Sequence, residues 1–273
     1  MPARPLSVTL KSAVKSGLSA VFPRWATGFF SARARAHAQA VLAGLGCVAL
    51  NQKLLKQFGS RVRQGPFAGL VLSPLTHQEH LGPYLLGTYE QELHPVWGSL
   101  RGKKFGQLLD VGSKFGYYAV GLAQKFPQAE VVAFDPDPWA RRAVREMAAA
   151  NGVANVAVAD FCDLTWLRRN LRPGAFILSD CEGYEAVLFS EPGIPALASA
   201  TMVIELHEQF SPGVTRQLQE NFSATHQITV IEARPGLPAL PPECTTLNEG
   251  ERGLATNEFR TGAQAWLWLG PRG

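Results

Sequence analysis

The stretch from Gln107 to Gly121 (QLLDVGSKFGYYAVG) constrains this chain more than any other. Gln107 to Val111 is a short apolar run closed by Asp110. Gly112 to Gly116 is a tight loop, and Tyr117 to Phe126 has the composition of a helix. A strand, a glycine loop and a helix in that order build a nucleotide-sized pocket at the strand's carboxyl end. Gly112 is free to take backbone angles closed to other residues, and Gly116 lets the backbone come close to a ligand. The spacing G-x-x-x-G is not the G-x-G-x-x-G of a dinucleotide site, and no Gly-Lys-Ser/Thr closes the loop to make it a phosphate loop.

A second acid stands one unit downstream. Glu130 to Phe134 reads as a strand that ends at Asp135, where a carboxylate accepts hydrogen bonds from two ribose hydroxyls. A loop with no phosphate grip, followed by such an acid, suits a nucleoside ligand without a pyrophosphate, and S-adenosylmethionine (SAM) is the natural candidate. The plainer alternative is a βαβ unit whose glycines make a turn and whose acid caps a helix.

At 273 residues and 46% hydrophobic composition, the chain is one domain of ordinary size with a proper core, plus an extension. No apolar run reaches the roughly 20 residues needed to span a bilayer. Charge divides the chain. Residues 1–78 hold ten Lys/Arg and no acid, whereas the whole is +4, so the remainder is −6. We therefore separate a basic, helical N-terminal extension (1–78) from a catalytic-type domain (79–273). Leu6 to Phe22 reads as a basic amphipathic helix, and Ala36 to Phe58 as a second helix interrupted by Gly44 and Gly46. Such helices pack on a domain with their lysines in solvent; a membrane-surface segment, a nucleic-acid patch and a targeting peptide are the functional alternatives. Cys47, Cys162, Cys181 and Cys244 are scattered with no C-x-x-C. That gives neither a zinc knuckle nor a disulfide framework, and a reducing, cytoplasmic setting is expected.

Around the central stretch, Gly65 to Leu72 resembles a strand or hairpin arm, and Leu86 to Leu93 the start of a helix running toward Trp97. Tyr89 and Glu90 precede the first strand of the unit, where a segment often folds over the ligand mouth. They are substrate-site candidates, or ordinary helix-surface residues. Further strands are expected at Asn155–Ala159, Gly174–Ser179, Thr201–Leu206, Gln227–Glu232 and Ala263–Leu269, with helices at 138–151 and 212–222. The last two strands read as a hairpin whose final strand is antiparallel. Between them, Arg234 to Gly262 is a long loop rich in Pro, Gly and polar residues, long enough to raise the question of a lid.

Asp110, Asp135, Asp160 and Asp180 thus close four successive expected strands, and Asp180-Cys-Glu-Gly-Tyr-Glu185 is the richest carboxylate cluster. The pattern over residues 86–270 resembles the class I SAM-dependent methyltransferases, whose α/β fold is a Rossmann-like, doubly wound seven-stranded sheet with an antiparallel last strand. Within that class the chain is most similar to the FkbM-type methyltransferases, through DVGSKFGYYAV (110–120), AFDPDP (133–138), SDCEGYEAVL (179–188) and VIELH (203–207). Asp135 stands where that family usually has Glu, and Lys114 and Phe115 occupy loop positions that are commonly smaller or more polar. The resemblance implies that Asp110, Gly112, Ser113, Gly116 and Tyr117 surround the methionine part of SAM. It implies that Asp135 and Pro136 hold the ribose, and that Asp160 and Phe161 read the adenine. Asp180, Glu182 and His207 are its catalytic candidates. Asp180 and Glu182 can equally cap the next helix, and His207 can be a hydrogen-bonded strand-end histidine.

A hydroxyl acceptor must lose a proton, which is work for His207, Asp180 or Glu182. The Asn/Asp-Pro-Pro-aromatic signature of many amino-group enzymes is absent from the fourth strand end. An O-methyltransferase acting on a small molecule or sugar is therefore expected, with SAM as cofactor. Two carboxylates without a third ligand assign no metal. The rival readings are a methyltransferase that holds RNA through its basic N-terminal region, and a non-catalytic Rossmann-like interaction module.

Overall fold

The computed structural model describes residues 23–191, 193–233, 238–260 and 264–272, with side chains from residue 33 onward. The amphipathic helix expected at Leu6–Phe22 lies outside the described residues. Two helices open the described chain, α1 (Pro23–Gly44) and α2 (Cys47–Phe58). Gly46, at φ 85°, turns the chain between them, and the bend there is 79°. Among the described residues no single helix is long and apolar enough to cross a membrane. Two short helices follow, α3 (Gly82–Leu86) and α4 (His94–Ser99).

The sheet then builds in alternation. Its first units are β1 (Gln107–Val111), α5 (Tyr117–Lys125), β2 (Glu130–Phe134), α6 (Pro138–Ala150), β3 (Val156–Ala159) and α7 (Leu164–Asn170). The chain continues through β4 (Phe176–Ser179), α8 (Glu185–Leu188), α9 (Pro195–Ala198), β5 (Thr201–Glu205) and α10 (Val214–Phe222). It ends with β6 (His226–Glu232), α11 (Glu249–Thr256) and β7 (Ala265–Pro271). The strand order is β3-β2-β1-β4-β5-β7-β6. The first five strands pair in parallel, and β7 is antiparallel to both β5 and β6. This is the doubly wound seven-stranded sheet the sequence pointed to. The chain moves outward from β1 to β3, then returns to lay β4 on the other side of β1. A crevice opens at that reversal, beyond the carboxyl ends of the two strands.

Local chemistry accounts for these elements. β1, β4 and β5 are buried along their whole length, as central parallel strands covered on both faces must be. Alternate residues feed two cores. Leu108, Val131, Phe176 and Val203 pack on one face with Leu50 and Leu54 of α2 and with Val120 and Leu122 of α5. Leu109, Val132, Ile177 and Met202 pack on the other with Leu218 and Phe222 of α10. Helix α6 starts where the Asp137 side chain accepts the Trp139 N–H and Pro138 occupies the first turn. Asn248 and Glu251 form a reciprocal capping box that starts α11.

The local expectations differ from the structure at three places. Leu86–Leu93 does not continue a helix, because Gly87 and Glu90 adopt left-handed backbone angles and break it into α3, a turn and a 3-10 segment at Gln91–Leu93. Gly65–Leu72 is a turn held by one antiparallel bridge, Arg61 with Val71. The region 234–262 is not a plain loop, since it contains Cys244–Thr246 and α11. The basic segment is tied to acids of the rest of the chain. Arg35 pairs with Asp137, Lys53 with Glu251 at 2.7 Å, and Arg63 with Glu243 at 2.7 Å.

Leu54 is fully buried in the sheet-facing core, so Leu54→Ala is expected to destabilise the whole fold by about 2–5 kcal/mol. Urea unfolding followed by circular dichroism checks this; an unchanged midpoint would mean that α2 does not share the core of the sheet.

Candidate functional site

The loop after β1 is shaped by two close approaches. Gly112 has φ 89°, and a Cβ there would lie 1.7 Å from the Asp180 carbonyl oxygen. Only glycine therefore lets the ends of β1 and β4 touch. The N–H groups of Gly112 and Ser113 both donate to the Phe134 carbonyl at 2.9 Å, binding the loop to β2. Gly116 also has a left-handed backbone, but its missing Cβ faces Val144 of α6 at 3.2 Å. Gly116 thus lets α5 pack closely on α6.

A cleft of about 400 Å³ opens at these strand ends, with Gly112, Asp135, Pro136, Asp160, Phe161 and Asp180 in its wall. Ser113 and Tyr117 do not line it. The Ser113 hydroxyl is buried without a partner. Tyr117 turns into an aromatic cluster, with its ring 5.3 Å from Phe67 and 5.2 Å from Tyr84. Asp110 lies beneath the loop, where the Ala119 N–H reaches its carboxylate; its Oδ2 is buried without a partner. Burial pushes the Asp110 pKa up to about 7, helped by the charges of Asp180 and Asp135.

Asp135 braces the mouth. Its Oδ2 accepts the Lys114 N–H at 2.9 Å and its Oδ1 the Asp137 N–H at 2.8 Å. Each carboxylate oxygen has the capacity to accept a further hydrogen bond. Burial raises its pKa to about 6 against the lowering effect of those two N–H groups. Asp160 accepts the N–H of Phe161 at 3.0 Å. The Phe161 ring stands half-exposed, 5.1 Å from Tyr184, a wall residue that the sequence did not single out.

A second pocket, of about 240 Å³, shares Asp180 and Glu182 with the first. Tyr89 and Glu90 line it together with Glu205, His207, Glu258 and Arg260. Both substrate candidates from the segment before β1 are thus in its wall. Glu90 is held by the Tyr118 hydroxyl, which donates to its carboxylate. The Glu90 N–H in turn donates to Glu258 at 3.0 Å. Arg260 pairs with Glu258 at 2.6 Å and with Glu92 at 2.7 Å. Burial, then the charge of Asp180, pushes Glu90 well above the usual carboxylate range and Glu205 up to about 11.

His207 sits at the back of this pocket. Burial disfavours its charge, but the hydrogen bond to Glu185 and the surrounding carboxylates outweigh that and raise its pKa. Its Nδ1 is 3.0 Å from Glu185 Oε1. Glu185 is fully buried and also accepts the N–H groups of Cys181 and Gly183, each at 2.9 Å. Burial raises the Glu185 pKa, but these bonds overcome it, so its carboxylate stays ionised and the His207 proton sits on Nδ1. Nε2 points to Asp180 and Glu182 at 3.6 Å each and to Glu205 at 3.7 Å. The three catalytic candidates therefore meet. Glu185 carries its signal within Asp180-Cys-Glu-Gly-Tyr-Glu185. Glu258 and Arg260 carry none, because only the folding of a distant loop brings them in.

No protein-family model matches the chain, and no curated protein matches it in sequence. Solved structures of similar fold include a protein assigned as an O-methyltransferase from Klebsiella pneumoniae, 14% identical over 67% of this chain and 80% of that one, with a TM-score of 0.44. Another is precorrin-6Y C5,15-methyltransferase from Geobacter metallireducens, 10% identical over 67% and 87% of the two chains, with a TM-score of 0.43. A third is a 16S rRNA adenine methyltransferase from Catenulisporales acidiphilia, 14% identical over 66% and 93%, with a TM-score of 0.37. Likenesses this distant carry no functional argument.

Gly112→Ala is expected to cost about 2–4 kcal/mol of stability, because the new methyl group forces β1 and β4 apart at a left-handed position. Thermal unfolding reads this directly; a melting temperature equal to that of the wild type would show that the two strand ends are not in contact.

Proposed function

We propose that the chain is a SAM-dependent methyltransferase of the FkbM-like type that methylates a hydroxyl group of a small molecule or sugar. The observation that carries this reading is the meeting of two pockets at Asp180 and Glu182, at the topological reversal of the sheet. The larger pocket fits an adenosyl ligand in its volume, which is that of a small-molecule site, and in its wall, where Asp135 and Asp160 stand with Phe161. When bound, SAM supplies a methyl group on a sulfonium, open to in-line displacement.

In this reading Asp135 accepts the ribose hydroxyls with the lone pairs left free by Lys114 and Asp137. Asp160 accepts the adenine amino group, and Phe161 with Tyr184 covers the ring. Asp110 balances the cationic methionine end. Asp180 stands where the two pockets join and aligns the acceptor oxygen, a positioning effect that can supply several kcal/mol. The hydroxyl proton passes to the cluster of Asp180, Glu182 and His207. The second pocket supports a hydroxyl-rich acceptor. Its acidic side chains accept hydrogen bonds from hydroxyl groups when ionised and donate to them when burial keeps the carboxyl protonated, as at Glu90 and Glu205.

Calorimetric titration with S-adenosylhomocysteine tests the cofactor assignment. Micromolar binding is expected, weakened by roughly 10- to 100-fold in Asp135→Asn through loss of a charged acceptor. The Asp135 carboxyl, raised to about 6, is ionised above that pH and protonated below it. Wild-type affinity should therefore be at least about tenfold weaker near pH 5 than near pH 7, and Asp135→Asn should show a smaller step, the remainder coming from Asp110, which is raised to about 7. Absence of binding at either pH would remove the cofactor reading.

A further inference from the structure

We propose that Asp180, Glu182 and His207 form a site for a divalent cation of the Mg²⁺/Mn²⁺ kind, on the acceptor side of the cofactor cleft. The role given to the ion below rests on the methyltransferase reading; its binding does not.

The geometry begins with His207. Its side chain is 3% exposed, its Nδ1 is committed to Glu185, and its Nε2 receives no hydrogen bond from any described residue. Nε2 nevertheless faces oxygens of Asp180, Glu182 and Glu205 at 3.6, 3.6 and 3.7 Å. Those gaps exceed a hydrogen bond, which closes at about 3.2 Å. They are also short for a bridging water, whose two partners stand about 4.5 Å apart. Two ligands of one small divalent ion are about 3 Å apart at right angles and about 4 Å apart when opposed. The observed spacing falls between these limits, and the donor atoms of Asp180, Glu182 and His207 all lie within 4.8 Å of one another.

Two further observations point the same way. Among the described residues the Asp180 Oδ1 facing Nε2 is buried and receives no N–H or hydroxyl hydrogen bond, and the carboxyl group within hydrogen-bonding reach of Asp180 is that of Glu205. The one arginine in the pocket, Arg260, is already taken by Glu258 and Glu92, and Lys114 lies toward Glu79 at 3.6 Å. Among the described residues no lysine or arginine pairs directly with Asp180, Glu182 or Glu205, and the His207 ring is the basic group that faces them. The Glu185 carboxylate behind Nδ1 supplies what a ligating histidine needs, a fixed ring and a proton held on the far nitrogen. Carboxylate oxygens with one imidazole and no thiolate favour a hard or borderline ion. Asp180 borders both pockets, so an ion held there would contact the acceptor oxygen and lower its pKa. The competing account is a proton shared between Asp180 and Glu205.

Electron paramagnetic resonance titration of the full chain with Mn²⁺ alone tests the site. Micromolar binding is expected, weakened by about 10- to 100-fold in Asp180→Asn and in Glu182→Gln and unchanged in Asp135→Asn. Thermal melting of each variant reports whether it folds, and Glu182 is largely exposed, so Glu182→Gln keeps the test valid if Asp180→Asn does not fold. Failure of the folded wild type to bind Mn²⁺ below millimolar concentration, or wild-type binding by both ligand variants, overturns the site in favour of the shared proton. S-adenosylhomocysteine titration of the same samples separates the two claims. Nucleoside binding without Mn²⁺ binding removes the ion and leaves the methyltransferase reading, whereas Mn²⁺ binding alone keeps the ion and removes its assigned role.

Discussion

A fully buried carboxylate governs the geometry of this protein. Glu185 accepts two backbone N–H groups from the loop after β4 and the imidazole Nδ1 at the end of β5. An ionised group with no exposure to water is costly unless its hydrogen bonds are made, and three are made here. They join two neighbouring strand ends through one side chain. They set the path of Asp180-Cys181-Glu182, including the left-handed backbone at Glu182, and they turn His207 Nε2 toward the acids. The close approach of Gly112 to the Asp180 carbonyl completes the frame by pinning β1 against the same loop. The two pockets are two sides of this one junction.

Much of the frame was legible in the residues. Apolar runs ending in Asp110, Asp135, Asp160 and Asp180 have the look of central parallel strands, because such strands are buried on both faces and carry their polar groups only at the ends. The antiparallel last strand was legible through the resemblance, because the long segment 234–262 separates it from the strand before it. Side-chain direction was less readable. Gly116 and Tyr117 sit in the motif, yet one serves the packing of α5 on α6 and the other an aromatic cluster. The sequence stretch fixes where the backbone goes, whereas tertiary neighbours decide which side of the helix meets the ligand.

The smaller pocket was the least legible part. Glu90 comes from a turn before the sheet, Glu205 and His207 from β5 and its end, and Glu258 and Arg260 from a segment just past α11. These three segments lie far from one another in sequence. The region after β6 looked structureless because Pro and Gly dominate it, but the Asn248–Glu251 capping box was readable and starts a helix there. The charge division has a related outcome. Arg35, Lys53 and Arg63 of the basic segment meet Asp137, Glu251 and Glu243. Partly exposed pairs of this kind add little stability each; Leu50 and Leu54, buried against the sheet, supply most of the attachment.

In the proposed function the cleft between Asp135 and Asp180 holds an adenosyl cofactor with its reactive end toward the acid-walled pocket. A crystal structure of the protein grown with S-adenosylhomocysteine tests this most directly. The prediction is a ribose on Asp135, an adenine beside Phe161 and a sulfur facing Asp180. A ligand seated elsewhere, or an empty cleft at saturating ligand, would contradict it.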